Sequence, residues 1–100
     1  MRKLLILFII LIPNTSFSNE KFVNYLKEGK KIIFMRHALA PGTADPKNFN
    51  INDCTTQRNL NEEGRSQSKK IGNFFKNKKI RIDKVLSSEW CRCKDTANIA

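Results

Sequence analysis

Apolar positions fall into several groups along the chain, and each group has its own spacing. Leu4 to Ile12 is an unbroken apolar run behind Met1-Arg2-Lys3, followed by Pro13-Asn14-Thr15-Ser16-Phe17-Ser18. Phe22, Val23 and Leu26 recur at helical spacing, which predicts a short helix over Asn19 to Gly29 with Gly29 just past its cap. Ile32-Ile33-Phe34-Met35 is apolar on both faces and predicts a strand over Lys31 to Met35, covered on both sides as in parallel sheets. Ala40 to Asn59 carries Pro41-Gly42, Asp45-Pro46 and Asn52-Asp53 and predicts a loop. A second helix starts at Asn61 as N-cap, with Glu62 and Glu63 opposing its dipole, Ile71, Phe74 and Phe75 as its stripe, and Lys76, Lys78 and Lys79 at its end. Val85-Leu86 centres a second strand within Arg81 to Ser87, and Ser88 caps a third helix towards the C-terminus.

The order is strand, helix, strand, helix, for which a right-handed crossover is expected. Two parallel strands are too few for a stable sheet, and the third helix shows no C-cap or polar tail. The expectation is therefore the N-terminal portion of a larger α/β domain with a mainly parallel sheet, occupying residues 19–100. A self-contained miniature domain is the alternative. Residues 1–18 have the layout of a secretory signal peptide, with small Ser16 and Ser18 at the −3 and −1 positions of a cut after Ser18. A spanning helix needs roughly 20 apolar residues, so a cleaved leader is preferred to a retained anchor. The expected location is periplasmic or secreted, with no stable membrane insertion after cleavage.

Composition narrows the partners. Hydrophobic residues make up 40% of the chain, which excludes a disordered tail. The net charge is +10, and loss of Arg2 and Lys3 with the leader leaves an excess of eight basic residues. The lysines cluster without interleaved aromatics, so a solvated face is preferred and no nucleic-acid partner is expected. Small anions or an anionic membrane surface fit the charge better. Cys54, Cys91 and Cys93 would enter an oxidising compartment, where one disulfide and one leftover thiol are expected. Cys91-x-Cys93 lacks a second ligand pair and His37 is the only histidine, so neither a metal nor a cofactor is expected.

The chemistry concentrates at Met35-Arg36-His37-Ala38, where the first predicted strand ends. In open α/β sheets ligands bind beyond the carboxyl ends of the strands. The second predicted strand ends at Ser87-Ser88, and Arg92 follows one turn into the next helix, so Arg36, His37 and Arg92 are expected to converge. Guanidinium forks match phosphate oxygens, and the helix start beside Ser88 adds backbone N–H donors. Together these residues point to phosphoryl transfer.

Arg36-His37-Ala38 resembles the Arg-His-Gly/Ala signature of the histidine phosphatase superfamily, also called phosphoglycerate mutase-like. The segment from Arg58-Asn59-Leu60 through Gly64 to Gln67 is similar to that family's Arg-x-Leu-Thr-x-x-Gly-x-x-Gln pattern. Ser87-Ser88, Arg92 and Thr96-Ala97 resemble its Ser-Ser-x-x-x-Arg-x-x-x-Thr-Ala pattern. The resemblance spans residues 31–100 and implies the N-terminal portion of a three-layer α/β/α phosphoglycerate mutase-like domain. It further implies His37 as a nucleophile forming phosphohistidine, with Arg36 and Arg92 binding the phosphoryl oxygens. Arg58 either joins them on the phosphate or braces its loop, and Gly64 and Gly72 allow close helix packing.

The implied activity is that of an exported phosphomonoesterase of small phosphorylated substrates, such as a sugar phosphate of the envelope. The family's second pocket histidine is absent, and none of Asp45, Asp53 or Glu89 matches a proton-donor position. The chain by itself is therefore expected to be inactive or very weak, with the activity belonging to a full-length relative. The family-like arrangement also brings Cys54 near Cys91 and Cys93, either of which could pair with it. Two other classes stay open: a non-catalytic anion-binding or interaction module, and a basic module for anionic membrane surfaces.

Overall fold

The computed structural model describes the backbone of residues 17–100 and the side chains from Asn19 onward. The leader expected at residues 1–18 lies outside the described residues except for the backbone of Phe17 and Ser18. Those two open helix α1, Phe17–Lys27. A 3₁₀ turn at Cys54–Thr56, helix α2 at Glu62–Asn77 and helix α3 at Cys91–Ile99 follow.

Each helix end has a chemical cause. Gly29 stands at the C′ position of α1 with φ +76°, as its placement in the sequence suggested. Asn61 caps α2: its side-chain Oδ1 accepts the Gly64 N–H at 2.8 Å. The far end of α2 closes as a Schellman motif, with Ile80 N–H donating to Phe75 O at 2.9 Å and Lys79 N–H to Lys76 O at 3.1 Å. Lys79 takes the left-handed position there with φ +55°, a conformation that costs a non-glycine residue roughly 1–2 kcal/mol. Burial of Ile80 directly after it offsets part of that cost. Helix α3 starts at Trp90 as N-cap, not at Ser88, whose hydroxyl sits 3.5 Å from the Trp90 N–H.

The expected parallel sheet is not formed. Among the described residues there is no strand, and the β-type contact present is an isolated antiparallel bridge between Asn50 and Asp53 inside the 40–59 loop. The three-layer α/β/α expectation, with its right-handed crossover, is corrected to a helical arrangement built on α2 packed against α3. The physical reason lies in the backbone. A strand exists only when its N–H and C=O groups find a neighbouring ladder. Residues 31–36 and 81–87 carry the apolar content of strands, yet neither supplies the other with a ladder. Their side chains therefore stay in water: Ile32 is 82% exposed, Phe34 91%, Val85 63% and Leu86 80%.

The packed part of the molecule is small and sits where α2, α3 and residues 38–40 meet. Ala38, Ala40 and Leu60 form its centre, with Ile99 of α3 packed against them. Leu39 donates its N–H to Gln67 Oε1 at 2.9 Å and accepts the Asn61 N–H at 3.3 Å, so its backbone lies along the start of α2. Gly64 makes that approach possible, because a Cβ there would run into the Leu39 carbonyl. Gly72 does the same about two turns further along the helix, against the backbone of Ala100. Ser68, fully buried between them, returns its hydroxyl to Gly64 O at 3.0 Å.

The exposed apolar residues generate a direct prediction. A protein presenting Ile32, Phe34, Val85 and Leu86 to solvent should bind the dye ANS. Replacing Phe34 and Leu86 together by serine should lower the dye fluorescence severalfold. Unchanged fluorescence would place these side chains out of the solvent.

Candidate functional site

His37 lies next to the packed centre, half-buried, and its Nδ1 is 2.7 Å from the Ala38 carbonyl oxygen. A carbonyl only accepts, so Nδ1 carries the proton. In the neutral ring this leaves the Nε2 lone pair available. The sheet-edge argument for bringing His37 towards Arg92 fails with the sheet, and the link that the structure does show is between backbone and α3. Ala38 donates its N–H to Thr96 Oγ1 at 3.0 Å, and that hydroxyl donates to Arg92 O at 2.7 Å. One buried threonine on α3 thus ties the residue after His37 to the helix that carries Arg92.

Arg92 is buried and held on two sides. Its Nη1 donates to Asp45 Oδ1 at 2.9 Å and, more weakly, to Arg58 O at 3.4 Å. The guanidinium carbon lies 4.5 Å from the centre of the Trp90 ring, a cation–π contact, and Phe49 packs on Trp90 at 4.8 Å between centroids. Arg92 Nε is buried and finds no acceptor among the described residues.

Asp45 also accepts the Arg58 N–H at 2.8 Å. That backbone bond, together with the hydrogen bond and charge of Arg92 and against the opposing effect of burial, holds the Asp45 carboxyl below its usual value near 3.8. An acid held ionised in this way has no proton to give at neutral pH, so Asp45 is an electrostatic partner and not a proton donor. Asp53 is engaged elsewhere, accepting from the N–H and hydroxyl of Thr55.

Arg58 braces the loop. Its Nη1 donates to Ala40 O at 2.6 Å and Gly42 O at 3.0 Å, which folds residues 40–42 back over it. Arg36 is exposed and makes no hydrogen bond or ion pair among the described residues. Of the four residues singled out by sequence, the structure ties the backbone after His37 to the helix that carries Arg92 and turns the Arg58 side chain onto the 40–42 backbone. Arg36 stands in solvent.

Two ties fasten the loop to α3. Cys54 and Cys91 form a disulfide with Cα atoms 5.7 Å apart, and Cys93 is free. Closing a loop of this length restricts the unfolded chain by about 4 kcal/mol in the chain-entropy account. Gln57, buried, accepts the Cys91 N–H on Oε1 at 2.9 Å and donates from Nε2 to Asn50 O at 3.0 Å and Ile51 O at 3.1 Å. It supplies from outside the cap that Trp90 cannot, and it takes up one of the α3 donors expected to serve an anion. Sequence reasoning gave Gln57 no role. The signal available was a glutamine between a turn and the first arginine of the second motif, where a chain has little reason to bury an amide without partners.

A model of the histidine phosphatase superfamily (branch 1) matches residues 32–100, a stretch that contains every residue of this site. No curated protein and no solved structure matches the chain.

Two outcomes follow from the ties. Gln57→Ala leaves the Cys91 N–H and the Ile51 carbonyl without partners, so it should cost about 1–3 kcal/mol and lower the melting temperature by about 5–15 °C. A melt within a degree of wild type would show that water replaces the amide at no cost. The Asp45 prediction concerns acid. Its depressed folded value means that its stabilisation is fully present above the usual value near 3.8 and is lost as pH falls through the lower folded value. Below that usual value wild type should lose stability more steeply than Asp45→Asn, and parallel acid-unfolding curves for the two proteins would contradict this.

Proposed function

The chain belongs to the histidine phosphatase superfamily, and from that membership we propose that it carries the phosphoryl-accepting site of an exported phosphomonoesterase. The observation that carries this reading is the bond between His37 Nδ1 and the Ala38 carbonyl. It fixes the tautomer whose Nε2 lone pair can attack phosphorus, which is the state a histidine nucleophile requires.

In the proposed reaction Nε2 of His37 attacks the phosphorus of a phosphomonoester, and the bond to the ester oxygen breaks as the N–P bond forms. The leaving alkoxide takes a proton from solvent water as it departs. Water then attacks the phosphohistidine, releasing inorganic phosphate and restoring the imidazole. Arg92 supplies fixed positive charge to the phosphoryl oxygens as charge builds in the transition state. Arg36, exposed beside His37, reaches the same oxygens once a phosphate is bound. Arg58 contributes through the loop it braces, since its Nη1 already serves two carbonyls. A small sugar phosphate of the envelope suits an exported site of this charge, and the net positive charge would raise the encounter rate of such anions.

The test uses the full-length protein and p-nitrophenyl phosphate. A quenched reaction should leave an acid-labile, alkali-stable phosphate on the protein, and His37→Ala should abolish it. Arg92→Ala should lower turnover by about two to three orders of magnitude, the scale of one lost charge-stabilising donor. Phosphate trapped on a serine, or wild-type turnover in His37→Ala, would overturn the reading.

A further inference from the structure

The arginine that the proposed reaction relies on most is oriented by a loop residue distant in sequence. All hydrogen bonds that the Arg92 guanidinium makes among the described residues run through a single nitrogen, Nη1. Of its two acceptors, Asp45 is the closer, at 2.9 Å against 3.4 Å for the Arg58 carbonyl, and the only charged one. Both side chains of the pair are largely out of water, at 10% and 12% exposure. A charge-assisted bond so shielded is stronger and more directional than a surface pair. Trp90 limits the guanidinium from its face, but a ring contact does not fix rotation within the plane. That in-plane angle is set by Asp45.

Asp45 is itself immobilised. The Arg58 N–H holds the same Oδ1 at 2.8 Å, and Arg58 in turn grips the carbonyls of Ala40 and Gly42. The chain of contacts therefore runs from the residues just after His37, through the loop, to the guanidinium on α3. We propose that Asp45 is a positioning residue for Arg92, holding Nη1 so that Nη2 is presented to a phosphate oxygen near His37. The assignment rests on the phosphatase reading above and adds to it a residue outside its three sequence motifs. A neighbouring carboxylate could act in the opposite sense, competing with phosphate for the same guanidinium. The geometry favours positioning, because Asp45 uses one nitrogen of the fork and leaves another.

The experiment compares wild type, Asp45→Asn, Arg92→Ala and the double variant in the full-length protein. Binding of inorganic phosphate is measured by calorimetry and turnover with p-nitrophenyl phosphate. Asp45→Asn should weaken phosphate binding and lower kcat/KM by roughly tenfold. The same substitution should have little effect once Arg92 is alanine, since a positioning residue acts only through the group it positions. Tighter phosphate binding in Asp45→Asn would establish competition and overturn the proposal. Equal losses in the presence and absence of Arg92 would also overturn it, by showing a structural role only.

Should Asp45→Asn fail to fold, nitrogen-15 spectra of the wild-type Arg92 side chain decide the matter. Added phosphate should shift Nη2 and leave Nη1 in place, whereas movement of Nη1 off Asp45 would refute the assignment. A wild type that binds no phosphate sinks the phosphatase reading and this assignment with it. Phosphate binding that is indifferent to Asp45 sinks this assignment alone.

Discussion

The backbone of Ala38 and Leu39 is the constraint on which the packed part of this molecule depends. Its N–H groups are taken by Thr96 and Gln67, from two different helices, and its Leu39 carbonyl by the N–H of Asn61, the residue before α2. Because a buried peptide group must find partners, satisfying these few atoms determines how close α2 and α3 come to each other. The side chains agree with that demand. Alanine at 38 and 40 is small enough to be enclosed, and glycine at 64 lets the Leu39 carbonyl touch helix backbone. A larger residue at any of these positions would push the segment away from the helices, and His37 would move with it.

Around this seam the polar groups form one connected system. Thr96 links the segment to Arg92, Arg92 links to Asp45, Asp45 to the Arg58 backbone, and the Arg58 side chain returns to Ala40 and Gly42. Such circuits are costly when incomplete, since each orphaned group then bears its full desolvation penalty. Asp45 and Arg92 illustrate the point: the pair is tolerable in its shielded position because the backbone of Arg58 serves both members, donating to one and accepting from the other. The loop is irregular in secondary structure but specific in its bonding.

Sequence reading reached the helices by local rules and lost the sheet by a non-local one. Asn61 as a cap, the glutamates behind it and Gly29 past α1 are decisions made within one turn of chain, and each is found in the structure. The pairing of Cys54 was read to within two residues, and the structure selects Cys91. Ile32 to Met35 has the composition of a covered strand, but composition specifies neither a ladder nor a cover, and neither is present among the described residues. His37 and Arg92 were singled out because their types are chemically unusual together, and the family match covers the stretch that holds both. Asp45 and Gln57 were not, because Asp45-Pro46 reads equally well as a turn, and an amide announces nothing until its partners are known. Ser88 was read as the cap of α3 on propensity alone, and a glutamine from the distant loop fills that need instead.

The bridge from Cys54 to Cys91 encloses the whole of α2 within a covalent ring. The exposed stretch 81–88 lies inside that ring, and it offers a protease the unpaired backbone that cleavage requires. A cut there would not separate the molecule into fragments. The two pieces would remain one particle joined through a single cystine, with α3 still seated on the loop and the nick visible only after reduction.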